Sequence, residues 1–354
     1  MNLEEIARLA GVSRSTVSRV INGDSRVSES ARARVQEVIQ THDFHPNAAA
    51  RSLASRRTGI IGLLIPREID WIFTDLFFPQ VIKSIASACN QADLNLMLLM
   101  ESSESGESAR RLFSRVVGGR HLDGIIVVSN VIEEPLVEML DKDDFPFVLV
   151  GRHPSLDLSF VDVDNRTSSR LAVEHLIGHG HRRIGMIGGS PNLIATIDRR
   201  DGYHHALLEA GLSIDLELYV SGNFTEMGGY AAMRRLLTLP GERPTAVFSA
   251  SDLMAFGAMR AIEECGLRIP DDIALIGFDG VARGANVLPS LTTVTQPVAG
   301  LGVEAVAIVQ QRIELPGQPP MHRYLPTELT IRESCGCGIA TSDSLRAEEV
   351  ATRA

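Results

Sequence analysis

Residues 2–22 read Asn2-Leu-Glu-Glu-Ile-Ala-Arg-Leu-Ala-Gly-Val-Ser-Arg-Ser-Thr-Val-Ser-Arg-Val-Ile-Asn22, and their pattern decides what the N-terminus is. Asn2 can accept a backbone hydrogen bond at a helix start, and Glu5, three residues on, can reach back. Leu3, Ile6, Ala7 and Ala10 recur at helical spacing on one face. Gly11 suits the left-handed backbone that ends a helix, and Val12 is expected as a buried turn residue. Ser13 then caps a second helix with Val17, Val20 and Ile21 inward. Its outward set is Arg14, Ser15, Thr16, Ser18, Arg19 and Asn22, short polar and cationic side chains suited to base edges and phosphates. This is a helix-turn-helix pattern, with the second helix expected in a major groove. Short amphipathic helix pairs around a glycine are also common in proteins that never touch DNA, so the rest of the chain has to support the reading.

Charge supports it once the chain is divided. The 354 residues carry a formal net charge of −10, which taken whole argues against nucleic acid. Residues 1–57 hold nine arginines against six acids, a balance of +3, and the remainder has 25 basic against 38 acidic residues. A basic head on an acidic body fits a DNA-binding module joined to a domain that does not touch DNA. The length calls for two or three domains. No secretory apolar stretch follows Met1, since Glu4, Glu5 and Arg8 interrupt it, and no apolar run reaches membrane-spanning length. Four cysteines, 89, 265, 335 and 337, are too few and scattered for a disulfide framework. A reducing, cytoplasmic setting and no membrane partner are expected.

Working outward, Ser28 is expected to cap a third helix through about Gln40 that closes a small core with Ala31, Val35, Val38 and Ile39. His45-Pro46-Asn47 stops it. The next run, Asn47-Ala-Ala-Ala-Arg-Ser-Leu-Ala-Ser-Arg-Arg57, has small helix formers and one large apolar residue. It reads either as a plain linker or as a hinge helix that orders on DNA. In the second reading Leu53 wedges into the minor groove, with Asn47 and Arg51 near the backbone.

From Thr58 the pattern becomes apolar strands alternating with helices. Strands are expected near 59–65, 94–100, 123–129, 147–150, 183–188, 217–221, 246–250 and 273–277. Helices are expected near 78–92, 107–117, 134–141, 167–179, 199–211, 226–238, 252–265 and 298–315. This indicates doubly wound parallel sheets. Breaks near 151–165 and 280–297 imply two lobes with the chain crossing more than once, and a cleft between lobes is a usual small-molecule site. The expected division is 1–46 for the helix-turn-helix domain, 47–57 for the hinge and 58–337 for the core. The first lobe would hold 58–162 and 292–325 and the second 163–291 and 326–337, with 338–354 a disordered tail.

Catalytic signals are absent. Gly185-Met-Ile-Gly188-Gly189-Ser190 follows a strand but is not G-x-G-x-x-G. There is no phosphate-binding G-x-x-x-x-G-K-[ST] and no nucleophile elbow. His179-Gly-His181 reads as a solvated loop pair. Cys335-x-Cys337 could supply half a metal site, but no second Cys/His pair has matching spacing, so no metal or other cofactor is expected. Trp71, the only tryptophan, is expected in a loop after a strand and suits either the core or the mouth of the cleft.

The run Leu3–Asn22, with Val17-Ser-Arg-Val-Ile-Asn22, then Ser28–His45 and Pro46-Asn-Ala-Ala-Ala-Arg-Ser-Leu-Ala54, resembles the lactose/galactose repressor family of bacterial transcription factors. The resemblance continues through Phe77-Phe-Pro79, Leu171–Ile184, Asp252–Leu267, Ile276-Gly-Phe-Asp279 and Pro289–Gln296, covering about residues 2–337. It implies a homodimeric regulator without enzymatic activity, on a palindromic double-stranded operator, with a periplasmic-binding-protein-like core and an effector between its lobes. It further implies that Arg14 and Ser15 read bases, that Arg19 and Asn22 are the next contacts, and that Leu53 is the wedge with Ala50 beside it. In the core it implies that Arg199 grips the effector with Asp279, and that Phe224 lies over it. Ser251 stands where the family usually has Asn, a shorter reach for the same contact. With Trp71, Phe77 and Asp75 near the mouth, a sugar effector is favoured over a purine. Leucine heptads of the tetrameric members are missing, so a dimer is expected.

Overall fold

The computed structural model describes residues 1–21, 24, 26–44, 57–66, 69–100, 106–119, 121–129 and 131–337. Asn22, Asn47, Ala50, Arg51 and Leu53, the hinge helix, and the tail from 338 lie outside these residues. The chain forms two compact units, Met1–Gly59 and Ile60 onward.

In the first unit, α1 (Leu3–Ala10), α2 (Arg14–Ile21) and α3 (Glu29–Thr41) enclose a core of Ile6, Ala7, Ala10, Val17, Val20 and Val35. Asn2 Oδ1 accepts from the Glu5 backbone N–H at 2.9 Å, and Glu5 Oε2 accepts from the Asn2 backbone N–H at 2.9 Å, a complete capping box. Gly11 ends α1 at φ 63°, which only glycine adopts without strain. Ser13 Oγ accepts from the Thr16 backbone N–H at 3.2 Å, so it starts α2 as expected. Ser28 precedes α3, but its side chain makes no capping bond. Val12 is half-buried rather than buried, because it sits at the rim of the three-helix core.

The second unit has two lobes. Its elements are β1 (Ile60–Ile65), α4 (Ile69–Thr74), α5 (Phe77–Gln91), β2 (Asn95–Met100), α6 (Gly106–Phe113), β3 (Gly124–Val128), α7 (Pro135–Lys142), β4 (Phe147–Val150) and β5 (Phe160–Val163). There follow α8 (Asn165–Gly178), β6 (Ile184–Gly188), α9 (Ile194–Glu209), β7 (Tyr219–Ser221), α10 (Glu226–Leu237), β8 (Ala246–Ser249), α11 (Asp252–Glu264) and β9 (Ala274–Asp279). The last are β10 (Thr292–Thr295), α12 (Val298–Glu314), β11 (His322–Leu325) and β12 (Glu328–Thr330).

One parallel sheet runs β11-β5-β4-β3-β1-β2, and the other runs β12-β10-β9-β8-β6-β7 with only β12 antiparallel. Central strands such as β3, β4 and β8 are buried along their length, as strands covered on both faces by helices must be. The chain passes between lobes three times: from β5 into α8, from β10 into α12, and from β11 into β12.

Two expectations are corrected. Residues 292–295 pair with β9 and so belong to the second lobe, not the first; the crossing falls after Thr295. A four-residue Thr-Thr-Val-Thr strand gives too little periodicity to be distinguished from linker. Trp71 is not in a loop but on α4, where its ring lies 4.9 Å from that of Phe78.

Candidate functional site

The cleft between the lobes gathers residues from both sheets. It is an open cleft, with about 770 Å³ of space between its walls once the solvent at its mouth is included. From the first lobe come Trp71, Asp75, Phe77, Phe78 and Asp162; from the second, Asn165, Arg199, Phe224 and Asp279. Gln296, at the second crossing, completes the polar wall.

Arg199 is its centre. The side chain leaves α9 and is buried, 5% exposed. Its Nε donates to Asn165 Oδ1 at 2.8 Å and Nη1 donates to the Ala250 carbonyl at 2.6 Å. The guanidinium also lies 3.6 Å from Asp279 Oδ1 and stacks 3.6 Å above the Phe278 ring. Burial works to lower its pKa, and Asp279, Asp162, Asp75 and Asp198 oppose that by favouring the cation.

One guanidinium thus faces three buried carboxylates in the cleft. Burial pushes Asp162 up to about 7, only partly countered by the Val163 backbone N–H and by Arg152. Burial also raises Asp75 and Asp279, with Arg199 pulling both down. Asp162 Oδ2 is buried with no hydrogen-bond partner among the described residues, an acceptor with spare capacity. Asp279 is held at φ 118°, a costly backbone for a non-glycine residue, with Gln296 Nε2 donating to its Oδ1 at 2.8 Å. Apolar rings complete the wall: Phe77 and Phe78 meet edge to face at 5.5 Å. Phe224 reaches the cleft because residue 189 is glycine; a Cβ there would sit 1.9 Å from its ring. A Cβ on Gly188 would sit 2.2 Å from the Tyr219 hydroxyl oxygen, so two ring contacts, not nucleotide binding, account for the Gly188-Gly189 pair.

Trp71, Phe77, Arg199, Phe224 and Asp279, predicted from sequence, meet in this cleft. Ser251 does not line it. Its Oγ accepts from the Met254 backbone N–H at 3.2 Å and caps α11, which turns the side chain into the lobe, where it is 2% exposed. Asp162, Asn165 and Gln296 were missed: they are isolated polar residues at the crossings, and no local spacing marks them. Those positions couple the cleft to the lobe connections. A further link is Arg152 Nη2 of the first lobe, 2.5 Å from Asp198 Oδ2 on α9.

In the first unit, Ser13, Arg14, Ser15 and Arg19 are exposed, and Thr16 and Ser18 partly so. Ser13 Oγ lies 2.8 Å from Ser15 Oγ and 2.9 Å from Thr16 Oγ1, which gathers hydroxyls at the start of α2. Arg14 meets Glu4 only at 3.8 Å with both side chains largely exposed, a contact of little energetic weight.

Comparison with known proteins accounts for both units. Residues 2–47 match the model for bacterial regulatory proteins of the lacI family, and residues 173–335 match a periplasmic binding protein-like domain. The HTH-type transcriptional regulator CelR of Thermobifida fusca is 37% identical over 94% of this chain and 97% of its own length. The chain belongs to the lacI family. The HTH-type transcriptional repressor PurR of Vibrio atlanticus (strain LGP32) is 35% identical over 88% of this chain and 92% of its own. Among solved structures, a CelR–cellobiose complex superposes with a TM-score of 0.74 at 36% identity, covering 94% of this chain and 99% of that one. The lac repressor dimer bound to operator and the anti-inducer ONPF gives 0.81 at 26% identity, covering 95% and 99%. This lacI-family chain is therefore a transcriptional regulator rather than an enzyme. Among the described residues no helix is long and apolar enough to cross a membrane.

Proposed function

We propose that this protein is a cytoplasmic, homodimeric repressor of carbohydrate-utilisation genes, which binds a palindromic operator and is controlled by a neutral sugar in the cleft. The observation that carries the sugar reading is the wall of Arg199, Asp75, Asp162, Asp279, Asn165 and Gln296 beside Trp71, Phe77 and Phe224. Carboxylates and a forked guanidinium bind vicinal hydroxyls, and aromatic faces cover the apolar faces of a sugar ring. Three carboxylates around one cation disfavour an anionic, phosphorylated ligand. The similarity to CelR, solved with cellobiose, makes cellobiose the first sugar to test.

On the DNA side, Arg14 and Ser15 would choose bases while Arg19 and Asn22 fix contact and register. Leu53, with Asn47, Ala50 and Arg51, would enter the minor groove at the dimer centre. A ligand that touches Asp162, Asn165 and Gln296 touches the lobe crossings. It would therefore bind unequally to different lobe angles and shift their populations.

The similarity to PurR keeps a purine effector as the rival reading. Thermal melting against a panel of disaccharides, monosaccharides, hypoxanthine and guanine separates the two. A ligand at 100 times its Kd adds about 2.7 kcal/mol by mass action. A rise in melting temperature with a sugar and none with the purines is expected; the reverse pattern would replace the sugar by a purine.

A further inference from the structure

The end of the core brings together two pairs that lie some 160 residues apart in sequence. His175 and His179, at i and i+4 near the end of α8, share one helix face. Cys335 and Cys337 lie on the short turn that ends the described chain and face that helix. His175 Nε2 is 3.1 Å from Cys337 Sγ, His179 Nε2 is 3.0 Å from the same sulfur, and the two sulfurs are 3.1 Å apart. The ligand atoms of His175, Cys335 and Cys337 all lie within 4.8 Å of one another. The second Cys/His pair that sequence spacing failed to show is therefore supplied by the fold.

We propose that His175, His179, Cys335 and Cys337 form a tetrahedral site for a zinc-class divalent ion that fastens the C-terminal segment to the second lobe. Two thiolates with two imidazoles are the donor set of closed structural zinc sites. With Zn–S near 2.3 Å and Zn–N near 2.0–2.1 Å, a tetrahedron has S–S and S–N edges of about 3.8 and 3.5 Å. The three separations of 3.0–3.1 Å reach those edges by side-chain shifts of several tenths of an ångström, whereas His179, which touches Cys337 but lies outside the group of three ligand atoms within 4.8 Å of one another, swings further to close the tetrahedron. Cys335 is 2% exposed and packs in the second-lobe core, while Cys337 is half-buried and His179 exposed, so an ion can enter from the His179 side. Binding would release the thiol protons to solvent and leave the ion coordinated by two thiolates and two neutral imidazoles. The site is separate from the effector cleft, none of whose lining residues it shares.

The test uses full-length protein without a polyhistidine tag, purified reduced and free of chelator. Elemental analysis should find close to one equivalent of zinc per chain. Cobalt substituted for it should give the visible bands of a tetrahedral site with thiolate-to-cobalt charge transfer. Cys335→Ser/Cys337→Ser and His175→Ala should lose both signals, while Cys89→Ser and Cys265→Ser keep them. Zinc chelation should lower the melting temperature of the wild type. If the double serine variant does not fold, the wild-type cobalt spectrum decides alone. Metal-free protein with no cobalt–thiolate band, an equivalent of metal retained in a folded double serine variant, or a Cys335–Cys337 disulfide in reduced preparations would each overturn the proposal.

Discussion

Arg199→Lys should uncouple the protein from its effector while leaving it folded and bound to DNA. Lysine keeps the positive charge among Asp75, Asp162 and Asp279, but it is a point donor and cannot hold Asn165 Oδ1 and the Ala250 carbonyl as the fork does at 2.8 and 2.6 Å. The ligand then meets a displaced cation and an unanchored Asn165. Losing one partner of a buried, charged hydrogen-bond set costs about 2–5 kcal/mol, or about 30-fold or more in affinity. Calorimetric titration of wild type and variant with the sugar that raises the wild-type melting temperature most will measure this. Arg199→Ala should behave differently. It leaves the carboxylates without their cation at a site 5% exposed, so about 3–5 kcal/mol of stability goes as well. Arg199→Lys with unchanged ligand affinity would place the effector elsewhere.

Gly257→Val should abolish folding of the second lobe. Helices α10 and α11 cross with their backbones nearly touching. A Cβ on Gly257 would lie 1.9 Å from the Glu226 carbonyl oxygen and 2.6 Å from the Tyr230 nitrogen, and one on Gly229 would lie 2.1 Å from the Met254 carbonyl oxygen. These obstacles are backbone atoms, so no side chain can swing aside, and the helices must part. Parting them opens the packing of Met233, Met254, Phe256 and Ala258. Even Gly257→Ala should cost about 3 kcal/mol, the upper end for overpacked cores, or a fall of about 5 °C in melting temperature for a unit this size. The first unit, with its own core of Ile6, Val17 and Val35, should keep its helices in the valine variant. Melting followed by circular dichroism checks both. A valine variant that melts with the wild type would contradict the close crossing.

Much of this architecture is legible in the sequence because periodicity carries it. Asn2 with Glu5, Gly11 and the spacing of Ile6, Val17 and Val20 specify the helix pair through local rules that the structure obeys. Fully apolar runs such as 124–128 and 147–150 announce buried parallel strands. What escapes is whatever depends on distant chain meeting distant chain. β10 is legible only once β9 is beside it. Asp162, Asn165 and Gln296 acquire a shared purpose only where the crossings converge on the cleft. Ser251 was misplaced because helix capping and ligand contact ask for the same residue type, and local geometry gave it to the cap. The pairing of His175 and His179 with Cys335 and Cys337 is the same lesson in its strongest form.

The central claim is that occupancy of the cleft sets the affinity for operator DNA. The direct measurement is fluorescence anisotropy on a palindromic site selected from random DNA by this protein, with and without the saturating sugar at one fixed salt concentration. Operator Kd should change about 5- to 150-fold in wild type, as coupling energies of about 1–3 kcal/mol produce, and should change far less in Arg199→Lys with the sugar held at about ten times the wild-type Kd, where a variant weakened about 30-fold is mostly empty. An operator Kd that is the same with and without a sugar proven to occupy the cleft would contradict the account.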